Sequence, residues 1–230
     1  MNYRVVVLAA GSGKRMKAGK NKQFLELSGE PLIVHTIRLF SEDIYCEEVV
    51  LVVNPNEVQM MKDIVKEYHL TKVTSFVSGG QERQHSVKNG IDSISDDQIV
   101  LVHDGARPFV KKEVIHQLVE KANKMGAVTV AVPVKETIKK VVAEKVVDTL
   151  NREELWSIQT PQAFQLSLLK KAHMQAEKAG MMGTDDASLV EWLGQDVAIV
   201  EGDYQNIKLT TPEDVLFAEA ILKEKELKKS

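Results

Sequence analysis

Small residues and a cluster of cations stand together near the start of the chain. The apolar run Val5 to Leu8 leads into Ala9-Ala10-Gly11-Ser12-Gly13, a pattern typical of a tight turn after a buried strand. Backbone N–H groups exposed by such a turn bind anions. Five cations then lie within nine residues: Lys14, Arg15, Lys17, Lys20 and Lys22. This much positive charge predicts a ligand with more negative charge than a diphosphate, such as a nucleoside triphosphate.

Neither standard phosphate-binding fingerprint fits this loop. A Walker A loop needs Ser or Thr after its Gly-Lys pair, but Arg15 follows Gly13-Lys14, and Leu8 replaces the first glycine. A dinucleotide-binding turn needs a third glycine where Met16 stands, which disfavours a nicotinamide-dependent oxidoreductase. On these residues alone, an ordinary strand-to-loop turn with solvated lysines stays open.

A glycine pair follows another predicted strand. Gly79 and Gly80 come after Val73–Val77, and paired glycines let the backbone approach a planar base or a ribose closely. Ser86 lies one helical turn further and can offer its hydroxyl to the same ligand. The alternative is a simple helix entry with Ser86 on an exposed face.

The predicted strand Ile99–His103 is followed by a carboxylate and a guanidinium. Asp104 is a natural ligand for Mg²⁺ or for a hydroxyl group, and Arg107 offers a forked donor for phosphate. The alternative is a surface turn in which these two side chains pair with each other. Nothing marks His103 as a base, so we predict a structural role for it.

These loops need a scaffold in which strand ends meet, and the chain alternates strands and helices accordingly. Short apolar strands without polar alternation indicate burial on both faces, as in parallel sheets. We therefore predict an α/β fold with a doubly wound, mostly parallel sheet, in which ligands bind beyond the carboxyl ends of strands. The predicted strands are Val5–Leu8, Val49–Val53, Val73–Val77, Ile99–His103 and Val128–Val132. The predicted helices are Pro31–Phe40, Asn56–Tyr68, Glu82–Ile94 and Lys111–Lys124.

The strand–helix alternation breaks after Val132. Residues 133–142 and 145–150 predict a half-exposed β-hairpin with Ala143-Glu144 as its turn. An isolated hairpin is marginally stable in water, and a second copy of the chain is an economical partner for it. We predict that residues 1–230 form one domain with a protruding arm at about 134–152, which makes a homodimer.

The last part of the chain offers two more polar loops before predicted helices. Thr184 precedes Asp185-Asp186 and fits the N-cap of a helix. Lys208 lies in a predicted short strand, Asn206–Leu209, and either points into the site or is simply solvated. Thr211-Pro212 supplies a cap and a first residue for the last helix.

The composition limits the class of protein. With 230 residues, 43% hydrophobic and 27% charged, the chain can bury the core of one α/β domain. A net charge of −3 argues against a general nucleic-acid or membrane binder, so the basic loop is a local feature. The single cysteine, Cys46, excludes an intramolecular disulfide and a multi-cysteine zinc site. The first apolar run is too short for a signal peptide or a membrane span, which predicts a cytoplasmic protein.

Taken together, the ordered motifs resemble those of the nucleotidyltransferase family that activates sugar and polyol phosphates. The resemblance runs from Val5 to the last helix and covers nearly the whole chain. Eight segments in order are highly specific, although each alone is a weak signal. They are AAGSGKRM (9–16), KQFL (22–25), GGQERQHSV (79–87), VHDGARP (102–108), NREELW (151–156), TPQ (160–162), TDDA (184–187) and NIKLT (206–210).

The resemblance implies a Rossmann-like nucleotidyltransferase fold and a cytidylyl transfer. Its expected substrates are CTP and methylerythritol phosphate, and its expected cofactor is Mg²⁺ or another divalent cation. It also implies a homodimer through the arm and no nucleic-acid or membrane partner. Two alternatives stay open: a cytidylyltransferase for ribitol 5-phosphate, and a non-catalytic CTP-binding sensor that kept the fold and lost the chemistry.

By the same resemblance, individual residues take on expected roles. CTP binding falls to Ala9, Ala10, Gly11, Gly13, Gly80, Gln81, Ser86 and Gly105. Catalysis falls to Arg15, Lys22, Arg152 and Lys208. Binding of the acceptor falls to Asp104, Arg107, Thr137, Thr160 and Thr184. Asp104 is also the expected metal ligand, and the arm residues Thr137 and Arg152 act within one chain or across the dimer.

Two positions depart from the family pattern. Gln81 stands where an acid is common; its carboxamide can still accept a hydrogen bond from the cytosine amino group or a ribose hydroxyl. It adds no negative charge beside a metal. Gly105 stands where alanine is common, and we expect little effect there because the nucleotide meets the backbone.

Overall fold

The structure, a computed structural model, describes residues 1–11 and 22–227. Its strands are β1 Tyr3–Leu8, β2 Glu26–Leu27, β3 Glu30–Pro31, β4 Cys46–Val53, β5 Val73–Ser78, β6 Ile99–Asp104, β7 Ala127–Pro133, β8 Lys139–Val142, β9 Lys145–Thr149, β10 Trp156–Gln165 and β11 Ala198–Glu201. Its helices are α1 Leu32–Ser41, α2 Val58–Glu67, α3 Arg83–Asp92, α4 Lys112–Met125, α5 Leu166–Ala179, α6 Asp186–Trp192 and α7 Pro212–Leu227. None of the helices in these ranges is long and apolar enough to span a membrane. The predicted site residues Gly13 and Arg15 lie outside the described residues.

Seven strands of the described part form one sheet in the order β11-β7-β10-β6-β1-β4-β5. Both neighbours of β1 run parallel to it, as β5 does to β4 and β11 to β7, whereas β10 is antiparallel to β6 and β7. The chain first builds outward from β1 to β5 and then returns to place β6 on the other side of β1. Strand order therefore reverses between β1 and β6, which opens a crevice at their carboxyl ends. The predicted doubly wound, mostly parallel sheet is confirmed.

Apolar side chains fill both faces of this sheet. On one face Val5, Val7 and Leu51 lie in a core with α1, α2 and α4. On the other face Val6 and Val52 lie in a core with α3, α5 and α6. Because successive residues of a strand point to opposite faces, an unbroken apolar strand supplies both cores at once. Full burial of each side chain of this size stabilises the folded state by about 1.5–3 kcal/mol relative to leaving it exposed. The rigid sheet that results fixes the strand ends where the polar loops begin.

The structure corrects two predictions about where helices begin: the first residue of α1 and the N-cap residue of α6. Pro31 does not begin α1; its ψ of 137° is extended, it pairs in β3, and Leu32 starts the helix. Thr184 does not cap α6, because the cap is Asp185, whose carboxylate accepts a hydrogen bond from Ser188 N at 2.9 Å. A carboxylate is as good a helix cap as a threonine hydroxyl, so the sequence alone did not separate the two.

The segment Asn206–Leu209 is an extended loop and not the predicted strand. The Arg107 guanidinium donates to the backbone oxygen of Asn206 at 2.7 Å. The Asn206 side chain is buried and donates to the backbone oxygen of Thr160 at 3.0 Å. Side-chain hydrogen bonds thus take the place of a strand ladder and hold this loop against the strand ends.

The predicted hairpin is confirmed and lies outside the main sheet. Its strands β8 and β9 pair with each other, with Val141 opposite Val146, and Ala143 and Glu144 form the turn with φ of 46° and 63°. Both strands are exposed along their whole length, and Val141 and Val146 expose 55% and 61% of their surface. The division of the chain into one domain and a dimerising arm stays a prediction.

Candidate active site

A cleft of about 480 Å³ opens where strand order reverses. The last residue of β1, Leu8, pairs with the last residue of β6, Asp104, and both line the cleft. Its lining residues are Leu8, Ala10, Gly11, Lys22, Gln23, Gly80, Gln81, Glu82, Arg83, Ser86, Asp104, Gly105, Ala106, Lys208 and Thr210. Glycine-containing loops and five charged side chains, three cationic and two acidic, therefore face one space.

The loops that follow β1 and β5 approach each other closely. Gly79 N donates to the backbone oxygen of Val53 at 2.8 Å, and a Cβ on Gly79 would lie 2.3 Å from the Cβ of Ala10. Real Cβ atoms do not come that close, so any larger residue would push the two loops apart. Gly79 lets both loops present backbone to one ligand.

Gly105 is packed more tightly than we expected. Its N–H donates to the backbone oxygen of Leu8 at 2.9 Å. A Cβ at this position would lie 2.9 Å from that same oxygen and 2.9 Å from Cδ1 of Ile33. An alanine would therefore require the surroundings of Gly105 to shift, and the expectation that the glycine has little effect on nucleotide binding stays a prediction.

Ser86 shapes the glycine loop from within α3. Its Oγ accepts a hydrogen bond from Gly80 N at 3.0 Å and donates to the backbone oxygen of Glu82 at 3.2 Å. A hydroxyl has one donor and two acceptor positions. One acceptor position therefore remains for a ligand in the cleft, in keeping with the predicted nucleotide contact.

The carboxylate of Asp104 lies among three cations at the floor of the cleft. Lys208 Nζ is 2.7 Å from Oδ2, Arg107 Nε is 3.8 Å from Oδ2, and Arg83 Nε is 3.7 Å from Oδ1. Burial alone would raise the pKa of Asp104, but Lys208 and Arg83 outweigh it and hold that pKa well below its ordinary value. Asp104 is thus a stable anion, and the surrounding charge remains net positive.

His103 lies directly behind this carboxylate and is fully buried. Its Nε2 is 2.9 Å from the backbone oxygen of Arg107, and its Nδ1 is 3.2 Å from the Thr160 hydroxyl. The same hydroxyl accepts a hydrogen bond from Asp104 N at 3.0 Å. A neutral imidazole with its proton on Nε2 satisfies every one of these bonds, since Thr160 then donates to Nδ1. The predicted structural role of His103 follows: it holds the backbone of Asp104 through Thr160.

Acid should weaken the fold in a pH window set by His103. Burial lowers the pKa of His103 from 6.5 to about 4, so between these values the unfolded chain binds a proton that the folded chain does not. The stability that His103 contributes is therefore full above about pH 6.5 and falls by about 3 kcal/mol as the pH drops to about 4. Denaturant unfolding at both pH values measures it. We expect a smaller loss in His103→Gln, and an equal loss in both proteins would contradict the assignment.

The side chains of the cleft fit a Mg²⁺ ion only if a substrate supplies part of its coordination. Within residues 1–11 and 22–227, no group of three or more His, Cys, Asp or Glu side chains is arranged to hold a metal. Mg²⁺ is commonly held by one or two carboxylates together with substrate phosphates and water. Asp104, at the strand end in the cleft, is a carboxylate of that kind, so the chain fits a metal that arrives with a nucleotide.

The structure gathers most of the predicted site residues into one place. Those that line the cleft are Ala10, Gly11, Lys22, Gly80, Gln81, Ser86, Asp104, Gly105 and Lys208. Ala9 and Thr160 are buried behind its wall, and Arg107 supports the loop of Lys208 from beneath. Thr184 is exposed on the loop before α6, and Thr137 and Arg152 are exposed on or beside the arm, outside this chain's cleft.

Arg83 is the functional candidate that sequence reasoning missed. It begins α3, lines the cleft and contacts both Asp104 and the buried Asp186, to which Nη1 donates at 2.7 Å. It stands inside the GGQERQHSV segment, where a charged residue in a first helical turn is unremarkable. Its partner Asp186 lies 103 residues further on, so the pairing has no local signal.

Comparison with known proteins gives a consistent result. The chain matches the family model described as "IspD: 2-C-methyl-D-erythritol 4-phosphate cytidylyltransferase" over residues 3–224. Similar proteins of that name come from Geobacillus thermodenitrificans (59% identity, 96% of this chain and 97% of that protein) and Halalkalibacterium halodurans (57%, 98% and 99%). A solved 4-diphosphocytidyl-2C-methyl-D-erythritol synthase from Anaerococcus prevotii is 32% identical, covers 96% of each chain and has a TM-score of 0.85.

Proposed function

Because the chain belongs to the 2-C-methyl-D-erythritol 4-phosphate cytidylyltransferase family, we propose that it transfers the CMP group of CTP to 2-C-methyl-D-erythritol 4-phosphate. A phosphate oxygen of the acceptor attacks the α-phosphorus of CTP, the bond between the α- and β-phosphates breaks, and pyrophosphate leaves. The product is 4-diphosphocytidyl-2-C-methyl-D-erythritol, an intermediate of non-mevalonate isoprenoid synthesis. The observation that carries this proposal is the match to the family over residues 3–224, together with a cleft of about 480 Å³ lined by Lys22, Arg83 and Lys208.

The chemistry needs positioning and charge stabilisation more than it needs a base. The acceptor's phosphate is already ionised at neutral pH, so its oxygen is a ready nucleophile. The obstacle is repulsion between two polyanions and the charge that develops on the α- and β-phosphates. Lys22 and Lys208 both line the cleft and supply positive charge there, Lys208 beside Asp104 and Lys22 beside the backbone oxygen of Leu209. Preorganised cations of this kind stabilise developing negative charge most strongly in a site from which water is excluded.

Asp104 acts as a ligand and an anchor and does not take a proton. The cations around it keep its pKa low, so at neutral pH it is ionised and a weak base. Behind it, His103 is fully buried with its nitrogens on Arg107 and Thr160, away from the cleft. We assign to Asp104 the placing of Lys208 in the free protein and the holding of a substrate hydroxyl or a nucleotide-borne Mg²⁺. Bound Mg²⁺ would neutralise part of the triphosphate charge.

Pyrophosphate release tests the proposed function directly. CTP and Mg²⁺ are incubated with methylerythritol phosphate, with ribitol 5-phosphate or with no acceptor, and pyrophosphate is measured in each. We expect release with methylerythritol phosphate alone. Release with ribitol 5-phosphate alone would move the chain to the sister reaction. No pyrophosphate in any of the three incubations, with CTP still bound by the protein, would indicate a non-catalytic sensor. Omitting the metal, or replacing it with chelator, tests the dependence on Mg²⁺.

Both substrates and the product are polyanions that dissolve in water, so we place the reaction in the cytoplasm. This location follows from the chemistry of the substrates. Fractionation of cells that express the chain at its natural level checks it: pyrophosphate-releasing activity should follow the cytoplasmic fraction.

The arm completes the site in a homodimer under this proposal. The predicted acceptor-binding residue Thr137 and the predicted catalytic residue Arg152 are exposed and do not line the cleft of their own chain. The valine-rich hairpin beside them exposes apolar surface that water disfavours. Pairing two arms by a two-fold axis would cover the valines and carry each Arg152 toward the neighbouring cleft.

Light scattering tests the dimer. We expect a mass near twice 25.7 kDa for the natural chain at micromolar concentration. A charge placed among the valines, Val146→Asp, should shift the mass toward 25.7 kDa and lower kcat, because it leaves the cleft without the partner's arm. Met60→Asp is the matched control, since Met60 is similarly exposed (53%) but lies on α2. A natural chain that scatters as a monomer would contradict the shared arm.

A further inference from the structure

A buried carboxylate behind the cleft has no role in the function described so far. Asp186 is 1% exposed and begins α6. Its Oδ2 accepts the 2.7 Å hydrogen bond from Arg83 Nη1, and its Oδ1 lies 3.3 Å from Nε2 of the equally buried His173. Burial alone would raise the pKa of Asp186, but Arg83 and His173 lower it, so the group is charged in the folded protein.

The cost of burying this charge is not explained by helix capping. Asp185, not Asp186, caps α6 by accepting a hydrogen bond from Ser188 N. The backbone N–H of Asp186 is itself taken by Gln162 Oε1 at 3.2 Å. A buried charge without a partner strongly destabilises the folded state. A complete buried ion pair, by contrast, can often be replaced by apolar groups with no loss of stability. Capping thus does not account for the carboxylate, and Arg83 is the group that it contacts on the cleft side.

Three elements fix the place of this carboxylate. Asp186 lies on α6, Gln162 on β10 holds its backbone, and His173 on α5 lies against its free oxygen. Arg83, by contrast, reaches across from α3 with a long and partly exposed side chain, 31% of whose surface is open. A buried anion that is held from three elements therefore determines where the long, partly exposed side chain of Arg83 lies.

Without Asp186 the nearest carboxylate to Arg83 would be Asp104, now 3.7 Å away. Arg83 would then compete with Lys208, which lies 2.7 Å from the other oxygen of Asp104. We propose that Asp186 is a positioning residue for the nucleotide: it holds Arg83 at the cleft wall, clear of Lys208 and beside the Gly80-Gln81 loop. This inference rests on the proposed function for its substrate, but the binding of CTP tests it separately from turnover.

Arg83 follows directly on the loop assigned to the nucleotide, so the effect of Asp186 should fall on CTP. In the isosteric variant Asp186→Asn we expect the KM for CTP to rise by about 10-fold to 10²-fold, the range for a misplaced positioning group. Because a displaced Arg83 would also compete with Lys208, we expect the KM for the acceptor to rise as well, but less than the KM for CTP. Calorimetric titration with CTP in the absence of acceptor should show the same loss of affinity, whether or not the protein turns over.

Asp43→Asn is the matched control, because Asp43 is a buried carboxylate (2% exposed) at the opposite end of the sheet. It accepts a hydrogen bond from the Tyr3 hydroxyl at 2.6 Å and contacts His116, far from the cleft. Both variants should lower the melting temperature, but only Asp186→Asn should weaken CTP. Equal effects of the two variants on CTP, or none from Asp186→Asn, would overturn the proposal.

A double variant separates positioning from general damage. If Asp186 acts through Arg83, then Arg83→Gln and Arg83→Gln/Asp186→Asn should bind CTP equally, whereas independent roles would add. Should Asp186→Asn fail to fold, Arg83→Lys provides the test. A lysine keeps the cation but cannot donate to Asp186 while a second nitrogen of the same group faces Asp104, as the forked guanidinium does, so the CTP affinity of the variant should fall as well. Unchanged CTP affinity in Arg83→Lys would contradict the assignment.

Discussion

Replacing Lys22 with alanine should lower kcat by about 10²–10³-fold and leave the fold intact. This is the effect of removing one preorganised donor from a site that stabilises developing charge, about 2.7–4 kcal/mol of transition-state free energy. Lys22 lines the cleft from the 3₁₀ turn Lys22–Phe24, and its Nζ lies 3.3 Å from the backbone oxygen of Leu209. That contact places the ammonium between the first loop and the loop of Lys208. Steady-state kinetics with both substrates measures the loss.

Lys66→Ala is the control for Lys22→Ala. Lys66 is exposed on α2, so its replacement removes an equal charge without touching the cleft. Its kcat should stay at the natural value, and circular dichroism should show both variants folded. Arg15→Ala, in the predicted phosphate loop outside the described residues, should match Lys22→Ala. Near-normal turnover in either cleft variant would remove that residue from the catalytic set.

Much of the fold could be predicted because its central strands are buried on both faces. β1, β4 and β6 each contain a run of four or five consecutive apolar residues, which indicates burial on both faces, and each is followed by a polar loop. The rule that ligands bind beyond the carboxyl ends of such strands predicts from the sequence alone that Gly79, Asp104 and Lys22 lie near each other.

The strand β10 escaped prediction because its pattern is polar where strands are usually apolar. Gln159, Thr160 and Gln162 are buried in it, yet each makes specific hydrogen bonds. Gln162 Nε2 donates to Thr129 Oγ1 at 3.1 Å, and Gln159 Nε2 donates to the backbone oxygen of Asp203 at 3.0 Å. Such bonds allow polar residues in a sheet interior, but their partners lie tens of residues away. Periodicity does not reveal contacts of that kind.

The site was predictable as a set of residues but not as an arrangement of charge. The motifs named Asp104, Arg107 and Lys208 without showing that they form one cluster with Arg83. That cluster depends on the turn after β6, on the loop held by Asn206, and on the start of α3. Their relative placement comes from packing across the sheet, so a linear pattern carried no information on it.

Replacing Lys208 with alanine should lower kcat/KM for the acceptor by about 10²–10³-fold, while the affinity for CTP changes little. In the free protein the ammonium is 2.7 Å from Asp104, so it rests beside the carboxylate until an acceptor phosphate enters. Because Asp104 also faces Arg83 and Arg107, it stays ionised without Lys208, and the loss is one of a phosphate contact. Kinetics with the acceptor varied at saturating CTP measures it.

Lys111→Ala provides the matched comparison for Lys208→Ala. Lys111 forms an ion pair with Asp203, 2.5 Å from Nζ to Oδ2, but it does not line the cleft. Loss of an exposed pair of this kind costs at most about 1 kcal/mol and should leave kcat/KM alone. A Lys208→Ala enzyme that keeps its kcat/KM for the acceptor, or that loses CTP affinity instead, would move Lys208 from the acceptor side of the site to the nucleotide side. Both lysines would then bind CTP, and the assignment of Lys208 to the acceptor phosphate would be wrong.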